Sequence, residues 1–139
     1  MPPWVYITGR GYSGSTTLDA LLGNACTVES VGELVSGMGR YNARCSCGEL
    51  FKDCPFWSGV RQRFEQGSGI SWEEAVLEIQ RQAHLQRLPD TLLTSSRRAQ
   101  TKKLVHICEN LAAAITTESG SNPKVIVDSS KELTRALFL

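Results

Sequence analysis

Nowhere in these 139 residues does an apolar run approach the roughly 18 residues that span a bilayer. The opening Met1-Pro2-Pro3-Trp4 has neither the positive start nor the long apolar stretch of a signal peptide, so a cytoplasmic location without a membrane span is expected. Net charge is nearly absent. Fifteen Lys and Arg against fourteen Asp and Glu leave +1, which removes any bulk attraction to nucleic acid and requires an anion site to be built locally. Internal repeats and low-complexity segments are missing as well, and the length suits one globular domain.

Histidine is scarce, and His84 and His106 both fall in helical patterns that assign them no role. Five cysteines are an odd number for a disulfide framework. Cys26 and Cys108 sit in patterns that read as helical and buried. Cys45, Cys47 and Cys54 cluster in one loop-like stretch, which leaves reduced thiols, a local disulfide or a metal clip open, although structural zinc normally takes four ligands.

What is present is an alternation of short β-prone runs with helical patterns. Val5-Tyr6-Ile7-Thr8 reads as a buried strand, followed by glycines and then a helix with Leu18, Leu21, Leu22 and Ala25 at helical spacing. Val28 to Val31 is a second short strand, and Gly37 to Pro55 reads as an irregular loop. Ser71-Trp72-Glu73-Glu74 matches a capping box at the start of a helix to about Gln86. Pro89 interrupts. A longer helix follows with Leu104, Val105, Cys108, Leu111, Ala112 and Ile115 on one face, broken by Gly120 to Pro123. Val125-Ile126-Val127 is another buried strand, and Asp128-Ser129-Ser130 is placed to cap a last helix ending in Leu137-Phe138-Leu139.

This pattern predicts an α/β fold, a parallel sheet flanked by helices with its ligand crevice beyond the carboxyl ends of the strands. Three segments are expected. They are the strand, loop, helix and Gly-Glu segment at 1–36, a Cys loop and helical acceptor region at 37–123, and a second core strand with its helix at 124–139. A final apolar helix with no returning strand implies a sheet incomplete at its C-terminal side.

Gly9-Arg10-Gly11-Tyr12-Ser13-Gly14-Ser15-Thr16 has P-loop spacing, but Ser15 stands where the lysine belongs. Glycines and a helix start still make an anion cradle. The missing lysine removes the charge that meets β- and γ-phosphates, which disfavours a nucleoside triphosphate.

Ser13-Gly14-Ser15-Thr16-Thr17, after a strand and opening a helix, resembles the 5′-phosphosulfate loop of sulfotransferases that use 3′-phosphoadenosine-5′-phosphosulfate. Val31-Gly32-Glu33-Leu34 is similar to the Gly-Glu of protein-tyrosine and some bacterial members. Val125 to Lys131 is similar to the family's strand and Ser-Lys turn, and Cys45-Ser46-Cys47-Gly48 with Cys54-Pro55-Phe56-Trp57 resembles bacterial members. The resemblance spans nearly the whole chain and implies a P-loop-like fold. It also implies Gly11, Tyr12, Ser13, Gly14, Ser15, Thr16 and Thr17 as donor-binding residues, Glu33 as base, and Arg10 as the cation near the leaving phosphate.

The expected partners are this nucleotide donor and an unidentified hydroxyl or amine acceptor, and the scheme requires no metal. Two departures stand out. Tyr12 occupies the position where family loops carry Lys or Arg, and the family's 3′-phosphate-binding Arg and Ser lie beyond Leu139. The Gly32-Glu33 pair read without the resemblance is a helix-start carboxylate, and Asp128 is a helix cap or loop orienter rather than a magnesium ligand. Arg97-Arg98 and Lys102-Lys103 read as a solvated basic face. The alternatives are a P-loop kinase relative and a non-catalytic remnant that associates through an exposed sheet edge.

Overall fold

Val, Tyr and Ile alternate in the opening run, and in the computed structural model, which describes residues 2–9, 12–40, 42–83 and 96–131, they form strand β1, Trp4–Thr8. Side chains at 82–83 and 96–100 are outside that description. Helix α1 spans Ser15–Gly23, β2 Val28–Ser30, α2 Leu34–Gly39, α3 Pro55–Ser68, α4 Trp72–Ala83, α5 Ser96–Ser119 and β3 Val125–Lys131. The three strands pair in parallel in the order β1-β3-β2. The architecture is thus α/β, a three-stranded parallel sheet flanked by helices, as the alternation of strand and helix patterns leads one to expect.

The central position of β3 explains its composition, because a strand covered on both faces of a parallel sheet reads as a continuous buried run. Residues Ile126 to Ser130 are all buried. The apolar core continues from Val31, Leu34 and Ile126 into the helical layer, where Trp57, Val60 and Phe64 of α3 meet Leu104, Ile107, Leu111 and Ile115 of α5. Phe64 and Trp72 pack edge to face with centroids 5.9 Å apart, and Phe51 stacks on Trp57 at 4.3 Å. Each such pair adds about 0.5–1.5 kcal/mol beyond its buried area.

Helix ends follow local chemistry. Pro55 enters α3 at its first position, where its missing N–H would have had no partner. The Ser71 Oγ accepts the Glu74 N–H at 3.3 Å, the first half of the capping box. The Glu74 carboxylate does not reach back to the Ser71 N–H but pairs with Lys103 across to α5 at 2.6 Å, and the next amide, the Trp72 N–H, donates to the Glu65 carboxylate. Lys103 of the basic face is accordingly partnered.

Several expectations are corrected. The opening run forms β1 at an edge of the sheet, where only Ile7 is buried and Val5 is exposed, and the stretch expected as an irregular loop from Gly37 to Pro55 begins within α2 and ends at the first residue of α3. The sheet-facing side of α1 is polar: Ser15 and Asp19 are buried, while Leu18 and Leu21 are 47% and 65% exposed. Residues four apart share a face, so Ser15 and Asp19 turn inward together and the apolar stripe turns out beside exposed Val5. Cys26 lies exposed in the turn after α1, whereas Cys108 is buried on α5 as expected. Val105 is also exposed, just off the buried α5 face.

Asp128-Ser129-Ser130 continue β3 instead of capping a helix. Tyr6 pairs with Asp128 but Thr8 with Lys131, so β3 carries one extra residue, a bulge that bends the strand end. The helix expected after it, the region around Pro89 and His84 lie outside the described residues.

At this bulge the fully buried Asp128 Oδ1 accepts from the Ser130 N–H, at 2.9 Å, and from the Ser130 hydroxyl. The Ser130 Oγ in turn accepts the Val35 N–H at 2.9 Å. Ser130→Ala leaves the Val35 N–H and one carboxylate hydrogen bond without a partner in a part-buried position. It should lower unfolding stability by about 1–3 kcal/mol. Urea denaturation checks this, and an unchanged midpoint and slope would contradict it.

Candidate active site

Gly14 opens the site because it takes a left-handed conformation, φ 77°, that costs a glycine nothing. It is the cap residue of α1, its carbonyl accepts the Leu18 N–H at 3.0 Å, and among the described residues no side chain caps the first turn. Helix starts whose first-turn amides lack a capping side chain are places where anions can be taken up. Tyr12 is also left-handed, φ 64°, and its side chain is fully exposed. A non-glycine residue in that region carries strain of about 1–3 kcal/mol. Ser13, Thr16 and Thr17 are exposed and Ser15 is buried, while Arg10 and Gly11 lie outside the described residues.

A cleft of about 770 Å³ brings part of this loop together with the Gly-Glu segment. Thr16 and Asp19 of α1 line one side, Ser30, Gly32 and Glu33 the floor, and Arg40, Asn42, Arg44, Cys45, Cys47 and Trp57 the other side. Tyr12, Ser13, Gly14, Ser15 and Thr17 do not line this cleft. His106 does not line it either; its ring stands 3.4 Å from the Ser68 carbonyl oxygen on the exposed side of α5.

Glu33 is fixed from β3. The Val31 N–H donates to the Val127 carbonyl at 2.9 Å and the Ser129 N–H to the Gly32 carbonyl at 2.9 Å, which fastens the turn carrying Glu33 to the bulged strand. Glu33 is the N-cap residue of α2, and its Oε1 accepts from Lys131 Nζ at 2.6 Å. Lys131 itself is left-handed, φ 65°, so the strand end is twisted where its ammonium meets the carboxylate. The helix-start reading and the cleft placement of Glu33 thus hold together.

Sequence reasoning missed Asp19 and Ser30. Ser30 Oγ donates to Asp19 Oδ1 at 2.8 Å. Burial raises the Asp19 pKa above its ordinary value; hydrogen bonds from Ser30 and Ser129 oppose this, and the nearby Asp128 and Glu33 charges add to it. The signal was available in the four-residue spacing from Ser15, but the apolar stripe of Leu18, Leu21 and Leu22 pointed to the opposite face.

Three thiols form the far wall. Cys45, Cys47 and Cys54 hold their sulfur atoms within 4.8 Å of one another, with Cys47 and Cys54 Sγ 3.6 Å apart. Burial raises the Cys45 thiol, but hydrogen bonds from the Cys47 N–H, the Cys54 and Cys47 thiols and the Ser46 hydroxyl outweigh it and hold it below the usual range. Burial pushes Cys54 up, opposed by the Trp57 backbone and reinforced by the other two thiols.

Comparison with protein families, curated proteins and solved structures finds no match for this chain.

Because the folded Asp19 pKa lies above the unfolded one, the folded chain holds this proton longer as pH rises through the ordinary value of 3.8. Folding stability attributable to Asp19 is full below that pH and declines as the group ionises inside the protein. Asp19→Asn keeps an acceptor for Ser30 and removes the decline. The variant should gain stability relative to the parent chain as pH is raised from 3.8 through the Asp19 titration. Thermal melts across that range test it, and a difference independent of pH would refute the assignment.

Proposed function

We propose that this chain transfers a sulfuryl group from 3′-phosphoadenosine-5′-phosphosulfate to a hydroxyl or amine acceptor. The observation that carries the reading is the shared cleft, which both Thr16, from the helix after the Gly-rich turn, and Glu33 line. In the reaction, the acceptor oxygen or nitrogen attacks sulfur while the bond from sulfur to the 5′-phosphate oxygen breaks. The electron pair leaves on that oxygen, giving adenosine 3′,5′-bisphosphate, and the acceptor proton passes to the Glu33 carboxylate.

The uncapped first turn of α1, with the Ser15, Thr16 and Thr17 backbone amides, receives the developing negative charge on the phosphate. Arg10 and Gly11 belong to this donor site by resemblance, as do Tyr12, Ser13 and Gly14. Lys131 holds one oxygen of Glu33 and so orients the base. Ser15 in place of a lysine is the reason for preferring this donor to ATP.

Isothermal calorimetry with adenosine 3′,5′-bisphosphate should show binding without magnesium, and none with ATP that depends on magnesium. Glu33→Gln should retain that binding and lose about 10²–10⁴-fold in sulfuryl transfer to a tested acceptor. Magnesium-dependent ATP affinity selects the kinase relative instead, and full turnover by the variant removes Glu33 as base. A chain that takes up neither nucleotide favours the association reading, to which the exposed side chains of Val5, Leu18 and Leu21 would contribute apolar surface.

A further inference from the structure

The stretch between α2 and α3 runs for residues 40–54, and Arg44 to Leu50 is its one strand pairing among the described residues. Its buried anchors are Phe51, stacked on Trp57, and Cys54, 2% exposed at the N-cap of α3. The Phe51 N–H donates to the Ala43 carbonyl at 2.7 Å, and within this closure lies a tight turn: the Cys45 N–H donates to the Glu49 carbonyl at 2.9 Å, the Gly48 N–H to the Cys45 carbonyl at 2.9 Å and Arg44 Nη1 to the Gly48 carbonyl at 2.7 Å. Gly48 takes φ 94°, and the turn presents Cys45 and Cys47 toward Cys54.

We propose that Cys45, Cys47 and Cys54 bind one zinc ion through three thiolates, with the fourth position filled by water from the cleft. Zinc–sulfur bonds of about 2.3 Å at tetrahedral angles set sulfur atoms about 3.8 Å apart. The 3.6 Å between Cys47 and Cys54 Sγ matches one such edge, and the third thiol lies within 4.8 Å of both. Soft thiolates favour zinc over magnesium or calcium. No fourth His, Cys, Asp or Glu joins the three among the described residues, and all three line the cleft, so the remaining position opens to solvent there. The positive end of α3 meets the thiolates at Cys54 and offsets their excess negative charge.

Such an ion ties the Cys45–Cys47 turn to the start of α3 and thereby holds the wall that carries Arg40 and Arg44 in place. The inference rests on thiol geometry alone and is independent of the donor assigned to the Gly-rich turn.

The test uses the full chain, reduced, stripped with a chelator and desalted without oxygen. Titration with zinc, read by competition with a chromogenic chelator, should give one ion per chain. Cobalt in its place should show thiolate-to-metal charge transfer and the visible bands of tetrahedral coordination. Cys47→Ser, at an exposed position, should weaken zinc binding by more than about tenfold, the least expected for loss of a direct ligand. Cys26→Ser should leave it unchanged. Substoichiometric zinc in the parent chain, a cobalt spectrum without thiolate ligation, or binding undiminished in Cys47→Ser would each overturn the proposal. So would a Cys47–Cys54 disulfide found by mass spectrometry after the anaerobic preparation.

Discussion

The Glu33 side of the cleft depends on how the end of β3 is held. Asp128 is fully buried, and a buried carboxylate is tolerable only when its oxygens are engaged. It takes the Ser130 N–H and hydroxyl, and the hydroxyl oxygen then receives the N–H of Val35 at the start of α2. One extra residue in the strand makes this possible, because the bulge brings the Ser130 side chain round to both partners. The Gly32–Glu33 turn is thus located by a polar network at the end of the central strand, whose preceding residues Val125-Ile126-Val127 are apolar. Lys131, the last residue of the strand, completes the connection by pairing with Glu33.

A second consequence follows for α1. Its inward face must sit over the same polar strand end, so Ser15 and Asp19 are turned toward Ser30 and Ser129 and the leucines are turned out. This arrangement concentrates Asp19, Glu33 and Asp128 near one another, a set of carboxylates whose mutual repulsion is relieved by serine hydroxyls and by one lysine. Acid–base chemistry is natural in such a place. Anion binding is assigned to the adjoining helix start, where charge of the opposite sense is available.

The elements were legible in the sequence wherever a single period dominated. The Val125 to Val127 strand and the α5 face from Leu104 to Ile115, Val105 apart, follow from apolar spacing, whereas the opening run gives a strand of which only Ile7 is buried. Glu33 and Thr16 were legible through short motifs, and the fold then brought them to one cleft. What was not legible depended on competition between partners. Asp128-Ser129-Ser130 has the composition of a helix cap, and only the pairing with Tyr6 and Thr8 shows that it prolongs a strand. Glu74 has capping-box spacing, yet Lys103, 29 residues away, attracts its carboxylate across the helical layer. Asp19 was hidden because a stripe of leucines is ordinarily the buried one.

Backbone amide resonances, followed while adenosine 3′,5′-bisphosphate is added, test the central claim most directly. The account predicts that the largest shifts fall at Ser15, Thr16 and Thr17 and extend across the cleft to Gly32 and Glu33. Shifts confined to other residues, with these five unmoved at saturation, would contradict it.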